Sequence, residues 1–297
     1  MTAVTQKHSN ASSPSSKRRM RTQKVGFGVL SLAALITVTP IVAVIIYVAI
    51  QGMPAISWEF ISAMPRDGMT AGGILPAIIG TFWLTLGTAI IAVPLGVGAA
   101  IYLSEYAPDN GLTRTIRISI INLAGISSVV YGLFGLGLFV LFLKLGTSLI
   151  AGSLTLAIMT LPVIISTAEE AMRAVPSSYR VVSISLGGTR WQTIKRLVIP
   201  QALPGILTGV ILGLERAAGE TAPILFTVAA FFLPHLPGSI FDASMALPYH
   251  LFVISTQVPG MPVQIQFGTA LVLLAFVLGM NLIAAVIRSR ARARRVW

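Results

Sequence analysis

The sequence predicts an all-α, polytopic membrane protein with six transmembrane helices and both termini in the cytoplasm. Three observations carry that expectation. Of 297 residues, 55% are apolar and only 10% charged, whereas a soluble domain carries about a quarter charged residues. Apolar runs without Asp, Glu, Lys or Arg recur along the chain, and they are long enough to cross a ~30 Å hydrocarbon core at ~1.5 Å per residue. Basic residues collect in alternate gaps between those runs.

The first span is expected from Val25 to Ile50. Its 26 residues exceed the ~7–15 of a secretory signal core, and no small-x-small cleavage site follows, so it is retained as a helix. Residues 1–24 are Ser-rich, basic and aperiodic, which reads as a disordered cytoplasmic tail. The next spans are expected at Ile74 to Leu103, Ser119 to Leu143 and Leu149 to Thr167. The fifth is interrupted by the charged stretch Glu215 to Glu220. Six residues cannot return a chain across a bilayer, so one helix from Leu203 to Leu233 is expected. The sixth runs from Phe267 to Ile287. Residues 25–287 then form one transmembrane domain, with a cytoplasmic loop at 168–200 and a basic tail at 288–297.

Orientation follows from the Lys and Arg count. With the N-terminus inside, the cytoplasmic segments hold eighteen of the 21 basic residues, the outer loops hold Arg66 and Lys144, and Arg216 is left within a span. The outer loop Pro234 to Gln266 has no Lys or Arg and five prolines, which predicts an irregular segment with a short helix around Asp242 to Ser255.

Several classes are excluded. A net charge of +12 suits nucleic acid, but the charge sits in tails and loops with no reading motif, so no nucleic-acid partner is expected. With no cysteine, and with His8, His235 and His250 outside any HxxxH or HExxH pattern, no metal site is expected. Nine scattered acids make no catalytic constellation. The chain lacks GxxxxGK[ST], so any ATP is bound elsewhere. There is no internal repeat, although a transporter complete in one chain often shows two similar halves. The sequence therefore reads as part of a larger transporter.

The cytoplasmic loop predicts two short helices around an elbow. Pro176 with Ser177 and Ser178 starts the first, which runs to the Gly187-Gly188 stop. Thr189 caps the second, which carries Trp191, Ile194, Leu197 and Val198 and ends near Pro200. Exposed aromatic and basic residues suit docking to a protein or adhesion to the membrane surface equally well.

The stretch GLERAAGETAPILFT places Glu215, Arg216 and Glu220 near the middle of the fifth span. A charge at that depth costs at least ~2.5–3.5 kcal/mol and marks a functional candidate. Arg216 and Glu220 are four apart on one face and suited to pairing. Pro223 clashes with the carbonyl of Gly219, which predicts a kink. Gly205, Gly209, Gly213 and Ala217 recur every four residues as a face for close helix packing. A planar guanidinium suits an oxyanion path, and a structural ion pair is the alternative. Because the three charges sum to −1, one glutamate is expected to be protonated or paired with a cation from a second subunit.

Two segments resemble known families. Gly187, with Pro200 thirteen residues later and Leu197 and Ile199 at the aliphatic positions, resembles the EAA loop of ABC-importer permeases. The family's glutamate falls at Val181, in the triplet Val181, Val182, Ser183. The run GETAP after an arginine, together with SSVVYGLFGL at Ser127 to Leu136, resembles the phosphate-specific permeases of PstA type, with Ser127 where proline is usual. The resemblance covers roughly Leu75 to Ile287.

It implies a type I importer permease fold in a bacterial inner membrane, forming half of a pore for inorganic phosphate. The implied partners are membrane lipid, a second permease of PstC type, an ATPase dimer of PstB type and an extracytoplasmic phosphate-binding protein of PstS type. ATP and Mg would be held by the ATPase, with no cofactor in this chain. The resemblance also implies a translocation path at Arg216 and Glu220, to which the buried charge adds Glu215. Tyr131, Gly132, Phe134 and Gly135 would lie on a path-lining helix. Coupling to the ATPase would run through Gly187, Gly188, Thr189, Arg190, Trp191 and Pro200. Import of sulfate, molybdate or phosphonate, or a membrane scaffold or signalling subunit, are the alternatives.

Overall fold

The computed structural model describes residues 14–293. The expected tail up to residue 13 and the C-terminal Arg294 and Arg295 lie outside the described residues. The chain divides into two units, residues 1–50 and 51–297.

The first unit is formed by α1 (Pro14–Gly52), whose last two residues belong to the second. The helix begins well before Val25, so residues 14–24 of the expected disordered tail are helical. From Val25 onward its large apolar side chains are exposed around the helix. An all-round apolar surface is what lipid solvates.

The second unit opens with α2 (Trp58–Ser62), capped by the Ser57 hydroxyl, which accepts from Phe60 N. A two-stranded ribbon follows, pairing β1 (Pro65–Arg66) with β2 (Ala71–Gly72) in antiparallel register. Next come α3 (Leu75–Ile101), α4 (Gly111–Ala124), α5 (Ser128–Gly135) and α6 (Leu149–Arg173). The loop helices are α7 (Ser177–Ser185) and α8 (Arg190–Thr193), followed by α9 (Ile199–Gly219) and α10 (Ala222–Thr227). The chain closes with α11 (Leu247–Thr256) and α12 (Val263–Ala293). Among the described residues five helices are long and apolar enough to cross a membrane, or six if the bent pair α4 and α5 is counted as one span.

The core is built on α6, which packs between α3 and α9 and is the most buried of the candidate spans among the described residues. α3 buries Thr81, Thr85 and Thr88 without leaving polar atoms unpaired, because each hydroxyl donates to the carbonyl four residues back at 2.7–2.8 Å. The predicted small face of α9 is used as expected. A Cβ on Gly205, Gly209 or Gly213 would run into Ala171, Thr167 or Ile164 of α6, so the two backbones approach where only hydrogen fits.

Two expected spans are not single helices. Ser119 to Leu143 is broken: α4 ends at Ala124, and α5, prolonged by a π-helical stretch at Leu136–Phe142, departs at 101°. Gly125 closes α4, and Ser127, at φ −60° and ψ 140°, is extended and starts α5. Tyr131 fastens the corner by donating its hydroxyl to Leu123 O at 2.8 Å. Leu203 to Leu233 stops at Gly219. Glu220 is extended, α10 restarts with Pro223 in its first turn, and the backbone beyond Val228 is irregular. Pro223 cannot donate within a continuing helix but suits a helix start. The expected kink is therefore a full break.

Between α10 and α12 the expected short helix is α11, shifted a few residues from Asp242 to Ser255. It packs on α3 and α12, and Leu247 N donates to Thr81 Oγ1 at 2.8 Å.

Candidate functional site

The break after α9 sets the geometry of the buried charges. Gly213 lies against Thr160 and Ile164, near the middle of α6. Arg216, one turn further on, therefore sits close to half depth in the helical layer. Its Nε donates to Glu220 Oε1 at 3.3 Å, so the predicted i,i+4 pair forms across the end of α9. Arg216 is 36% exposed and Glu220 17%, which leaves part of the guanidinium fork open to a further anion.

Glu215 takes a different direction. With the Asn281 amide oriented to donate, its nitrogen hydrogen-bonds both carboxylate oxygens of Glu215. Thr208, Glu215, Asn281 and Arg288 line one small cavity of about 60 Å³ between α9 and α12, and Arg288 Nη1 reaches Thr208 Oγ1 at 3.5 Å. Glu215 and Arg216 thus serve different faces. Arg288 of α12 lines the same cavity as Glu215.

α5 lies beside the charged break. Gly132 faces Ala222 O and Pro223, and Gly135 faces Thr155 and Thr227, so α10 packs on α5 where a side chain would not fit. Tyr131 is buried. Phe134 does not join them: it is half exposed, with its ring edge-on to Phe139 at 6.4 Å. Gly132 and Gly135 thus meet α10, the helix that follows Glu220.

The elbow is also built as the spacing requires. α7 closes with Gly187 N donating to Ile184 O and Gly188 N to Ser183 O, and Gly187 holds φ +82°, a left-handed conformation that favours glycine. Thr189 makes a full capping box: its hydroxyl accepts from Gln192 N at 3.2 Å and its own N–H donates to Gln192 Oε1 at 2.9 Å. The second helix does not end near Pro200. It continues from α8 through a π-helical turn at Ile194–Val198 into α9, one rod from Arg190 to Gly219. A π turn widens the helix just before the proline, where an α-helical carbonyl at Arg196 would clash with its ring.

Val181, Val182, Ile184, Leu186 and Trp191 project from the elbow, with Leu186 83% and Trp191 53% exposed. A groove of about 560 Å³ runs beside them, lined by Tyr179, Val182, Leu186, Gln192, Arg196 and Leu197 among others. Glu169 does not replace the acid missing at Val181. It is buried and occupied by Arg117 at 2.7 Å and Arg173 at 3.1 Å. Sequence reading missed the Arg117–Glu169 and Arg180–Glu105 pairs and the roles of Asn281 and Arg288, since pairs across 52 to 80 positions leave no local signal.

Residues 92–293 match the family model described as binding-protein-dependent transport system inner membrane component. The chain belongs to that family. It is 35% identical over 280 residues to the probable ABC transporter permease protein YqgI of Bacillus subtilis, covering 90% of this chain and 95% of that one. It is 37% identical to the phosphate transport system permease protein PstA 1 of Mycobacterium tuberculosis, covering 76% and 73%. In fold it is similar to a bacterial ABC transporter that imports alginate, at a TM-score of 0.67 and 13% identity over 92% of this chain. As a member of the family, the chain is a multi-pass transport permease.

Proposed function

We propose that this permease is half of the pore of an ATP-driven importer for inorganic phosphate, with Arg216 as its anion contact. The observation that carries the reading is the Arg216–Glu220 pair at a broken helix near half depth, beside the glycine-faced α5. A planar fork with donors left over binds an oxyanion bidentately. Glu220 lowers the net charge there, so a phosphate meets a cation that also has a resident partner to return to. That arrangement favours passage over tight retention. Similarity to the PstA proteins supports phosphate in particular.

In this reading both termini are cytoplasmic and the protein lies in the bacterial inner membrane. The exposed apolar ridge at Leu186 and Trp191 docks on a separate ATPase dimer of PstB type, which holds ATP and Mg. A PstC-type permease completes the pore, and a PstS-type protein delivers phosphate from outside. ATP-driven closure moves the elbow and rocks the spans from inward to outward access. The test is reconstitution of the four components in liposomes and measurement of ATP-dependent phosphate uptake. Uptake that survives excess sulfate supports the reading, and uptake abolished by sulfate assigns the pore to a broader oxyanion class.

A further inference from the structure

We propose that Arg180 and Glu105 form the link that carries elbow movement into α3 and α6, beside the direct continuity of the elbow with α9, which makes Arg180 a positioning residue for coupled transport. The inference rests on the coupling role given to the elbow above. Arg180 lies on α7, and Glu105 lies in the π-helical stretch Tyr102–Tyr106 that ends the α3 rod. Their contact is a two-point fork, Nη2 to Oε1 at 2.7 Å and Nε to Oε2 at 3.1 Å. A fork fixes orientation as well as distance. The same guanidinium donates to Met172 O at 2.9 Å and Val175 O at 2.8 Å, the carbonyls at the exit of α6. One side chain thus joins the elbow to the ends of two spans that are far apart in sequence.

What else holds α7 decides how much this matters. α7 buries none of its residues, and its apolar side chains Val181, Val182 and Ile184 project outward. Apolar packing therefore does not fix its position against the spans. On the span side, Arg117 of α4 donates to Glu169 of α6 at 2.7 Å and to Leu103 O at 2.8 Å. The ends of α3 and α6 are tied to the middle of α4 as one block, and Arg180 attaches the elbow to it. The Glu105 side chain is 8% exposed, so replacing Arg180 leaves a buried carboxylate without this counter-charge, held only by the Ser104 hydroxyl, and loosens the joint. A loosened elbow can still dock on an ATPase while its displacement is no longer passed to α3 and α6.

The test uses the whole reconstituted importer with Arg180→Gln, Glu105→Gln and Arg180→Lys. Phosphate delivered per ATP hydrolysed is measured together with the amount of assembled complex. Both glutamine variants are expected to assemble and hydrolyse ATP but deliver at least about tenfold less phosphate per ATP. Arg180→Lys, which keeps the charge without the fork, should fall between. Because the chain has no cysteine, spin labels at Asp109→Cys and Ser185→Cys report the joint independently of activity: narrow in wild type, broadened in Arg180→Gln. An unchanged phosphate-to-ATP ratio overturns the proposal. So does loss of uptake that only tracks loss of assembled complex. If the wild type takes up no phosphate, the phosphate reading fails alone, and the label distance still decides whether Arg180 holds the elbow.

Discussion

Gly209→Ala should destabilise the protein through one identifiable collision. On α9 the added Cβ would overlap Thr167 Oγ1 and lie 2.7 Å from Thr167 Cβ, on the most deeply packed helix of the core. Overpacking of this kind costs ~1–3 kcal/mol, set against ~0.8–1.0 kcal/mol gained because alanine favours helix over glycine. The gain cancels in a comparison with Gly98→Ala on α3, where a Cβ meets nothing within 4 Å. The difference between the two variants isolates the packing term at ~1–3 kcal/mol. At ~2–4 °C per kcal/mol for a chain of this size, the Gly209 variant should melt roughly 2–12 °C below the Gly98 variant. The assay is the fraction of monodisperse protein left in detergent after stepwise heating. Thr167→Ala in the Gly209→Ala background should recover part of the loss, because it removes the Oγ1 overlap at no cost to bonds outside its own helix while the 2.7 Å approach to Cβ remains. Equal melting of the two glycine variants would refute the close α6–α9 approach.

Gly187→Val forces a β-branched residue to φ +82° and costs ~1–2 kcal/mol at the elbow. Because nothing within 4 Å contacts a Cβ there, the chain should fold and reach the membrane, while its co-purification with the ATPase falls; unchanged capture would count against the elbow as the docking element. His250, on α11 outside the spans, is buried with no partner for Nδ1, and burial pushes it down to about 4. Its neutral form is the folded one, so the unfolded chain binds the extra proton as pH falls from ~6.5. Stability should decline between ~6.5 and 4, by up to roughly 3 kcal/mol, and level off below. His250→Phe should flatten that part of the melting profile.

What could be read in the sequence was what repeats locally. Span number, the α9 glycine face, the Thr189 cap and the Arg216–Glu220 pair are all set by spacings of four residues or fewer, or by runs of one residue class. The breaks were harder to read. At Ser127 the serine leaves no mark of a 101° corner, which rests on the Tyr131 hydroxyl reaching Leu123 O. At Pro223 a kink was legible, but a full break was not, because it depends on Glu220 turning extended to meet Arg216. Grouping Glu215 with Arg216 followed from adjacency, yet neighbours on a helix point about 100° apart, and Asn281 sixty-six positions later decides where Glu215 goes.

Phosphate uptake by complexes carrying Arg216→Gln or Arg216→Lys tests the central claim most directly. The account predicts that Arg216→Gln abolishes ATP-driven uptake, and that Arg216→Lys, a point charge without the planar fork, restores little of it, with assembly intact in both. Normal uptake by both variants would contradict the claim and leave the Arg216–Glu220 pair a structural contact at the end of α9.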